Sequence, residues 1–181
     1  MTKRCKWCNE ENLLYVKYHD KEWGRFRVDD DYLFEMLFLE SFQAGLSWEC
    51  VLNKRENFRK AFDDFDCRAI ANYNEQRVQE LLNNKNIIRN KRKVLASINN
   101  AKIFQEIVQE YGSFYDYLKK FTKGKTLQET SKDTNDWSNK ISDDLYKRGM
   151  RFVGSKIIYS FLQAVGIIDS HESDCDMYKG K

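Results

Sequence analysis

The sequence contains no proline and only eight glycines. Sheet-rich folds need more of these turn residues, and no segment alternates apolar and polar side chains as a half-buried strand does. Apolar residues instead recur at intervals of three and four, as in Val94, Ile98, Ala101, Phe104 and Val108. This spacing is typical of amphipathic helices. The sequence therefore predicts an all-α fold.

The length of 181 residues suits one compact helical domain, which we expect to span residues 1–181. A content of 41% hydrophobic and 33% charged residues excludes the disordered class. No apolar run approaches the roughly 18 residues of a membrane helix, and the first residues are not followed by an apolar export signal. We therefore expect a cytoplasmic monomer without a membrane partner.

Capping signals divide the chain into predicted helices. Asp29, Asp30 and Asp31 can cap and begin one helix, and Ser47 can cap a second that continues to Phe58. The polar stretch from Thr122 to Asn139 is predicted to contain a mobile loop. Further helices are predicted around Ala69, through Val78 to Leu82, from Arg89 to about Glu110, from Asp116 to Phe121, from Asp143 to Arg148, and from Phe152 to Val165.

The segment LLNNKNIIRNKRK, residues 81–93, predicts a helix-hairpin-helix element. A short polar turn separates two helical patterns, and residues 85–93 contain five basic side chains and no acid. The N–H groups at a helix N-terminus bind phosphate, and nearby cations strengthen the attraction to a polyanion. Such contacts position DNA without reading its sequence. An ordinary solvated helix corner is the alternative, since the net charge is only +3.

Both histidines of the chain lie close in sequence to a cysteine. His19 follows Cys5 by 14 positions, and Cys175 follows His171 by four. Two such pairs would complete a tetrahedral zinc site without an open position, which is a structural site that ties the two ends of the chain together. Cys8 is a competing ligand. A histidine taken singly is more often an ordinary core or surface residue.

A carboxylate lies within the otherwise apolar run LESFQAGLSW, as Glu40, and aromatic residues occur in polar surroundings elsewhere. Stacked rings with one carboxylate suit a flat cationic ligand, because ring faces attract the cation and the acid accepts its N–H protons. The aromatic candidates for such a pocket are Trp7, Tyr15, Tyr18, Trp23 and Trp48.

These segments resemble the 3-methyladenine DNA glycosylase I family. The resemblance extends from Cys5 to about Cys175 and rests on three segments: YHDKEWG, LFEMLFLESFQAGLSWECVLNKRENFR and KRGMRFVGSKIIYSFLQAVGIIDSHESDC. It implies a base-excision repair enzyme that acts on alkylated double-stranded DNA. Such an enzyme flips 3-methyladenine out of the helix, hydrolyses its N-glycosidic bond and leaves an abasic site.

The resemblance also implies a role for individual residues. Glu40 matches the acid that binds the methylated base, Tyr15, Tyr18 and Trp48 match the stacking walls, and Trp7 and Trp23 match neighbouring pocket residues. Gly45 and Leu46 match the loop that fills the gap in the duplex. The DNA-anchoring hairpin corresponds to Asn86, Arg89, Lys91 and Lys93, and the zinc ligands correspond to Cys5, His19, His171 and Cys175.

Asn86 occupies the position at which the family hairpin has glycine, and asparagine tolerates a left-handed backbone better than most residues. Two other functions fit parts of the same pattern. A non-catalytic, zinc-clipped module that binds damaged DNA would share the hairpin and the metal ligands. A binder of small cationic aromatic molecules would share the pocket and would show no salt-dependent affinity for DNA.

Overall fold

The computed structural model describes residues 2–178, and helices form most of the regular secondary structure in this part of the chain. The all-α prediction is confirmed. The helices are α1 Leu13–Lys21, α2 Asp30–Gln43, α3 Trp48–Leu52, α4 Arg55–Ala61, α5 Cys67–Ala71, α6 Glu75–Asn83, α7 Lys91–Tyr111, α8 Phe114–Thr122, α9 Asp136–Lys147 and α10 Ser155–Ala164, with a 3₁₀ turn at Asp63–Phe65.

Helix α2 lies at the centre of the fold. Every residue of α2 from Tyr32 to Phe42 is buried, which agrees with an apolar composition on all its faces. The helix packs against α3, α7, α8 and α10. Glu35 and Glu40 are the buried acids of this helix. Glu35 accepts hydrogen bonds from Arg55 and Arg59, so the two acids differ in whether a cation already neutralises them.

The predicted caps at the start of α2 and α3 are confirmed. The Asp29 carboxylate accepts from the Tyr32 N–H at 3.0 Å, and the Ser47 hydroxyl accepts from the Cys50 N–H at 3.2 Å. The single helix expected from Ser47 to Phe58 is wrong, because the chain forms α3 and α4 instead. The break falls at Lys54, whose φ of −102° and ψ of 0° lie outside the helical range.

The expected loop from Thr122 to Asn139 is more structured than the sequence indicates. It contains a short strand, β1 Leu127–Gln128, which pairs in parallel with β2 Ile168–Asp169. After β1, the Glu129 carboxylate accepts from the Tyr159 hydroxyl at 3.1 Å. Helix α9 begins seven residues earlier than expected, because Asn135 and Ser138 form a reciprocal capping box.

Helix α1 was not anticipated, since its segment is polar and rich in aromatic residues. The Asn12 side chain caps it by accepting from the N–H groups of Leu14 and Tyr15. Within residues 2–178, no helix has the length and apolar character needed to cross a membrane. The cytoplasmic location and the extent of the domain remain predictions.

Candidate active site

A cavity of about 380 Å³ opens between the N-terminal segment, α1, α2, α10 and the segment that follows β1. Glu40 and the aromatic residues predicted for the pocket all line it. The full lining is Trp7, Tyr15, Tyr18, Trp23, Glu40, Gln43, Trp48, Thr130, Ser131, Lys132, Ser160, Gln163, Ser170 and Glu172.

Glu40 is the buried acid of this cavity, and its side chain comes from the last turns of α2. The residue is 3% exposed, and its Oε2 atom has no hydrogen-bond partner within residues 2–178. Burial in these apolar surroundings raises the pKa of the Glu40 carboxyl to about 8. An acid held neutral near pH 7 and lacking a partner is suited to a ligand that brings a positive charge.

The walls of the cavity are aromatic. The ring centroids of Tyr18 and Trp48 lie 5.2 Å apart, and Trp7 lies 5.3 Å from Tyr15 and 4.7 Å from Trp23. These separations are typical of packed aromatic pairs. Burial also raises the pKa of Tyr15 to about 12, so its hydroxyl stays neutral in the physiological range. The Nε1 atom of Trp48 is a second buried polar atom without a partner in the described part of the chain.

Three of the four predicted zinc ligands lie together beside Trp7, whose ring centroid is 5.2 Å from that of His19. The ligand atoms of Cys5, His19 and Cys175 are within 4.8 Å of one another, and all three residues are buried. The Cys175 sulfur is 3.6 Å from the Nε2 atom of His19. This group of residues brings Cys5, near the start of the chain, close to Cys175, near its end, and zinc binding here remains a prediction.

His171, the fourth predicted ligand, lies next to this group. Its ring centroid is 5.4 Å from that of His19, and its Nε2 atom is buried with no hydrogen-bond partner among residues 2–178. The Nδ1 atom is 2.7 Å from an Asp169 oxygen, and the Nδ1 atom of His19 is likewise 2.8 Å from Asp20. A carboxylate at Nδ1 leaves Nε2 as the atom that can coordinate a metal, which is the usual arrangement around metal-binding histidines. In this structure the Nε2 atom of His19 accepts from the Cys5 N–H at 3.3 Å.

The buried thiols also suit a metal. Burial raises the pKa of Cys5 to about 12 because it disfavours the charged thiolate. A divalent cation bound to the sulfur would stabilise that thiolate. Cys8 is buried, but it does not belong to the cluster of Cys5, His19 and Cys175. Two sulfur and two nitrogen donors suit zinc, because zinc binds soft thiolate and imidazole ligands and usually takes four of them.

Gly24 ends the YHDKEWG segment at a position that only glycine fits. Its φ is +69°, and a Cβ atom there would lie 2.7 Å from the Cε1 atom of His171. The glycine therefore lets the chain after α1 approach the histidine ring closely. This contact connects the YHDKEWG motif near the start of the chain to His171, a predicted ligand near its end.

Gly45 and Leu46 form an exposed turn directly after α2. The Leu46 N–H donates to the Gln43 carbonyl at 2.7 Å, and Gly45 has a φ of +77°. Leu46 is 41% exposed, although it is a large apolar residue. The turn is thus a projecting apolar tip, close in sequence to Glu40.

The predicted hairpin consists of α6, a turn over residues 84–90, and α7. Asn84 closes the turn by accepting from the Asn86 N–H at 3.0 Å, and Asn90 caps α7 by accepting from the Lys93 N–H. Asn86 is not one of the residues with positive φ, so the turn does not use the left-handed conformation that asparagine tolerates. Asn86, Arg89 and Lys91 are exposed, and their contact with DNA remains a prediction.

Lys93, which was predicted to bind DNA at the hairpin, lies inside the protein. Its side chain is buried, and its ammonium group donates to the carbonyl groups of Phe42 at 2.6 Å and Ala44 at 2.7 Å. The predicted contact between Lys93 and DNA is therefore wrong in this structure, because the ammonium is already used inside the protein.

Several cavity residues were missed by the sequence interpretation. Ser160 and Gln163 lie three positions apart on α10, a spacing that places both on one helix face within the recognised segment. Thr130, Ser131 and Lys132 come from the segment interpreted as a loop, and no local pattern distinguishes them. The strand pairing of β1 brings them to the cavity.

The family model described as methyladenine glycosylase matches residues 7–179. The chain belongs to the methyladenine glycosylase family. A relative within the family, DNA-3-methyladenine glycosylase 1 of Escherichia coli (strain K12), is 41% identical over 98% of this chain and 97% of its own length.

Solved structures of family members have the same fold. A crystal structure of 3-methyladenine DNA glycosylase I matches with a TM-score of 0.93 and 40% identity, covering 97% of this chain and 100% of that chain. A tyrosine-to-phenylalanine variant of 3-methyladenine DNA glycosylase I, solved in complex with 3-methyladenine, matches with a TM-score of 0.90 and 33% identity over 96% of each chain. Family membership and fold thus agree along almost the whole described chain.

Proposed function

We propose that this protein is a monofunctional DNA-3-methyladenine glycosylase of base-excision repair. The observation that carries the proposal is Glu40, a buried carboxyl without a hydrogen-bond partner in the described chain, in a cavity walled by tyrosine and tryptophan. Relatives across the full length are named for the same activity, and one family structure is described as containing 3-methyladenine.

Selection of the damaged base would follow from charge. Methylation at N3 makes the adenine of the nucleotide cationic, whereas unmodified adenine is neutral. With a pKa of about 8, ionising Glu40 at pH 7 costs about 1.4 kcal/mol, the equivalent of one pKa unit. A hydrogen bond between a charged carboxylate and an N–H group contributes about 1.5–3 kcal/mol, so a cationic base offsets this cost and a neutral base gains less.

The aromatic walls would hold the flipped base. Tyr18 and Trp48 form one packed pair, and Trp7, Tyr15 and Trp23 form another group across the cavity. Ring faces attract a cationic ring more strongly than a neutral one, which adds to the selection by Glu40. The cavity volume of about 380 Å³ accommodates a purine.

The chemical step would be hydrolysis at C1′ of the sugar. The positive charge makes the methylated base a good leaving group, so the enzyme has to extrude the base, hold it and admit water. Glu40 would bind the base and stabilise its charge. After the hairpin, the sequence has no aspartate before Asp116, and this agrees with a reaction that depends on the instability of the lesion itself.

Duplex DNA would bind at the face that carries the exposed turn and the hairpin. Leu46 would enter the space left by the flipped base, which offsets an unstacking cost of a few kcal/mol. Asn86, Arg89 and Lys91 would anchor a phosphate at the N-terminus of α7. We propose that the protein acts on DNA as a monomer.

Zinc would hold the chain ends together. Cys5, His19, His171 and Cys175 would be its ligands, with Asp20 and Asp169 orienting the two histidines. A four-ligand shell leaves no position for water, so the ion would have a structural role. The cluster contacts Trp7 and Trp23, and the ion would thereby keep two walls of the base cavity in place.

The direct test is incubation of the protein with alkylated duplex DNA, followed by chromatographic identification of the released bases. Release of 3-methyladenine with formation of abasic sites supports the proposal. A non-catalytic damage-binding module would bind the same DNA and release no base. A binder of small cationic molecules would show no salt-dependent affinity for DNA.

A further inference from the structure

Lys93 is a buried cation whose basic sequence surroundings indicate no role inside the protein. It lies in the first turn of α7 and is 6% exposed. A positive charge at this end of a helix is unfavourable, because the N-terminus already carries partial positive charge. Burial also lowers the pKa of the Lys93 ammonium. A specific set of acceptors has to offset both costs.

These acceptors lie at the end of α2. The ammonium donates to the Phe42 carbonyl at 2.6 Å and to the Ala44 carbonyl at 2.7 Å. The last carbonyl groups of a helix lack partners within the helix and carry partial negative charge, so a cation stabilises them. The ring of Phe152 lies 5.9 Å from the same ammonium and adds a cation–π contact. Two carbonyl groups and one aromatic ring thus surround the Lys93 ammonium.

The two carbonyl groups belong to the base of the exposed turn. Phe42 lies two residues after Glu40, and Ala44 directly precedes Gly45. Beyond this base the turn has little support, since a Cβ atom added at Gly45 would meet no atom of the described chain within 4 Å. The position of Leu46 therefore depends on the main chain at Gln43 and Ala44. The Leu46 N–H donates to the Gln43 carbonyl, and the Lys93 ammonium donates to the Ala44 carbonyl.

We propose that Lys93 is a positioning residue that fixes the Leu46 wedge relative to the phosphate-binding hairpin. The proposal rests on the function proposed above. Lys93 belongs to the first turn of α7, where the hairpin would hold a phosphate, and its ammonium binds the base of the wedge turn. The Lys93 side chain thus connects the hairpin that would bind a DNA phosphate to the turn that carries Leu46, the residue that would replace the flipped base in the duplex.

The connection has a functional consequence because base flipping is sensitive to small displacements. A misplacement of about 1 Å can lower a rate by about a hundredfold when the reacting groups need close alignment. Removal of the ammonium would leave the Phe42 and Ala44 carbonyls without their partner and free the wedge turn to move. Contacts between the cavity and a free base would be unaffected, since Lys93 does not line the cavity.

The test compares Lys93→Met, which keeps the length and apolar stem of the side chain, with Lys91→Met as a matched control. Lys91 is exposed in the same turn of α7.

For Lys93→Met, we expect base release from alkylated duplex DNA to fall by about ten- to a hundredfold in kcat, with a smaller loss on alkylated single-stranded DNA. Binding of free 3-methyladenine, measured by tryptophan fluorescence, should stay within about twofold of wild type, since the cavity contacts are retained. For Lys91→Met, we expect a higher KM and a shallower dependence on salt.

A double-mutant cycle with Leu46→Ala decides whether Lys93 acts through the wedge. The double variant should be no slower on duplex DNA than the slower single variant, because both substitutions remove the same action. Losses that multiply, or equal losses on duplex and single-stranded DNA, would overturn the inference. Should Lys93→Met fail to fold by circular dichroism, Lys93→Gln keeps an amide donor for one carbonyl and enters the same cycle.

The outcomes also separate this inference from the proposed function. A wild-type protein that releases no base overturns both. A Leu46→Ala variant with full activity on duplex DNA shows that there is no wedge to position and overturns the inference alone. A slow Leu46→Ala variant combined with a Lys93→Met variant of normal rate also overturns the inference alone.

Discussion

The raised pKa of Glu40 predicts how activity depends on pH. In the free protein the carboxyl has a pKa of about 8, because burial disfavours its charged form. A cationic base favours the charged form, so its binding releases a proton from Glu40. The fraction of protein ready to bind the lesion therefore rises with pH up to about 8 and then levels off.

The magnitude follows from this pKa. Roughly one part in a hundred of the carboxyl is ionised at pH 6, one in ten at pH 7 and half at pH 8. We expect kcat/KM for release of 3-methyladenine to rise about tenfold per pH unit between pH 6 and pH 7, since kcat/KM reports the groups of the free enzyme. The assay measures initial rates on alkylated duplex DNA at constant ionic strength.

The matched control is Glu40→Gln, which keeps the shape of the side chain and cannot ionise. The residual activity of Glu40→Gln should therefore not rise tenfold between pH 6 and pH 7. A flat wild-type profile between pH 6 and pH 8, or an equal slope in wild type and Glu40→Gln, would show that ionisation of Glu40 does not govern recognition.

Two further predictions concern the clustered cysteines and histidines. Cys175→Ala should purify with less than one zinc per chain and unfold at a lower temperature, as measured by metal analysis and calorimetry; full zinc content and unchanged stability would contradict the proposed site. Gly24→Ala should lower the free energy of unfolding by about 1–3 kcal/mol, since its Cβ would lie 2.7 Å from His171, and wild-type stability in urea titrations would show that the ring moves aside at no cost.

Much of the fold followed from local signals in the sequence. Asp29 and Ser47 cap helices because their side-chain oxygens accept from nearby N–H groups, and this contact needs no tertiary partner. The break at Lys54 was not predictable in the same way, since the apolar spacing from Val51 to Phe58 continues across it. Periodicity indicates which face is buried, but it does not indicate where a helix bends away.

The candidate site was predictable where a residue type has a narrow chemical use. Few other functions explain an acid in an apolar run, two cysteine–histidine pairs or aromatic residues in a polar segment. The role of Lys93 was missed because a lysine in a basic run has the same sequence pattern whether it faces DNA or a helix end. Thr130, Ser131 and Lys132 were missed because the pairing of β1 with β2, residues far apart in the chain, brings them to the cavity.

The most direct measurement of the central claim is the rate of 3-methyladenine release by Glu40→Gln beside wild type, at equal zinc content and equal thermal stability. Above pH 8, where Glu40 is ionised without the cost that applies at pH 7, loss of a hydrogen bond to a charged carboxylate of about 1.5–3 kcal/mol predicts a rate lower by about ten- to a hundredfold. An unchanged rate in the Glu40→Gln variant would contradict the claim that this buried acid selects the cationic base.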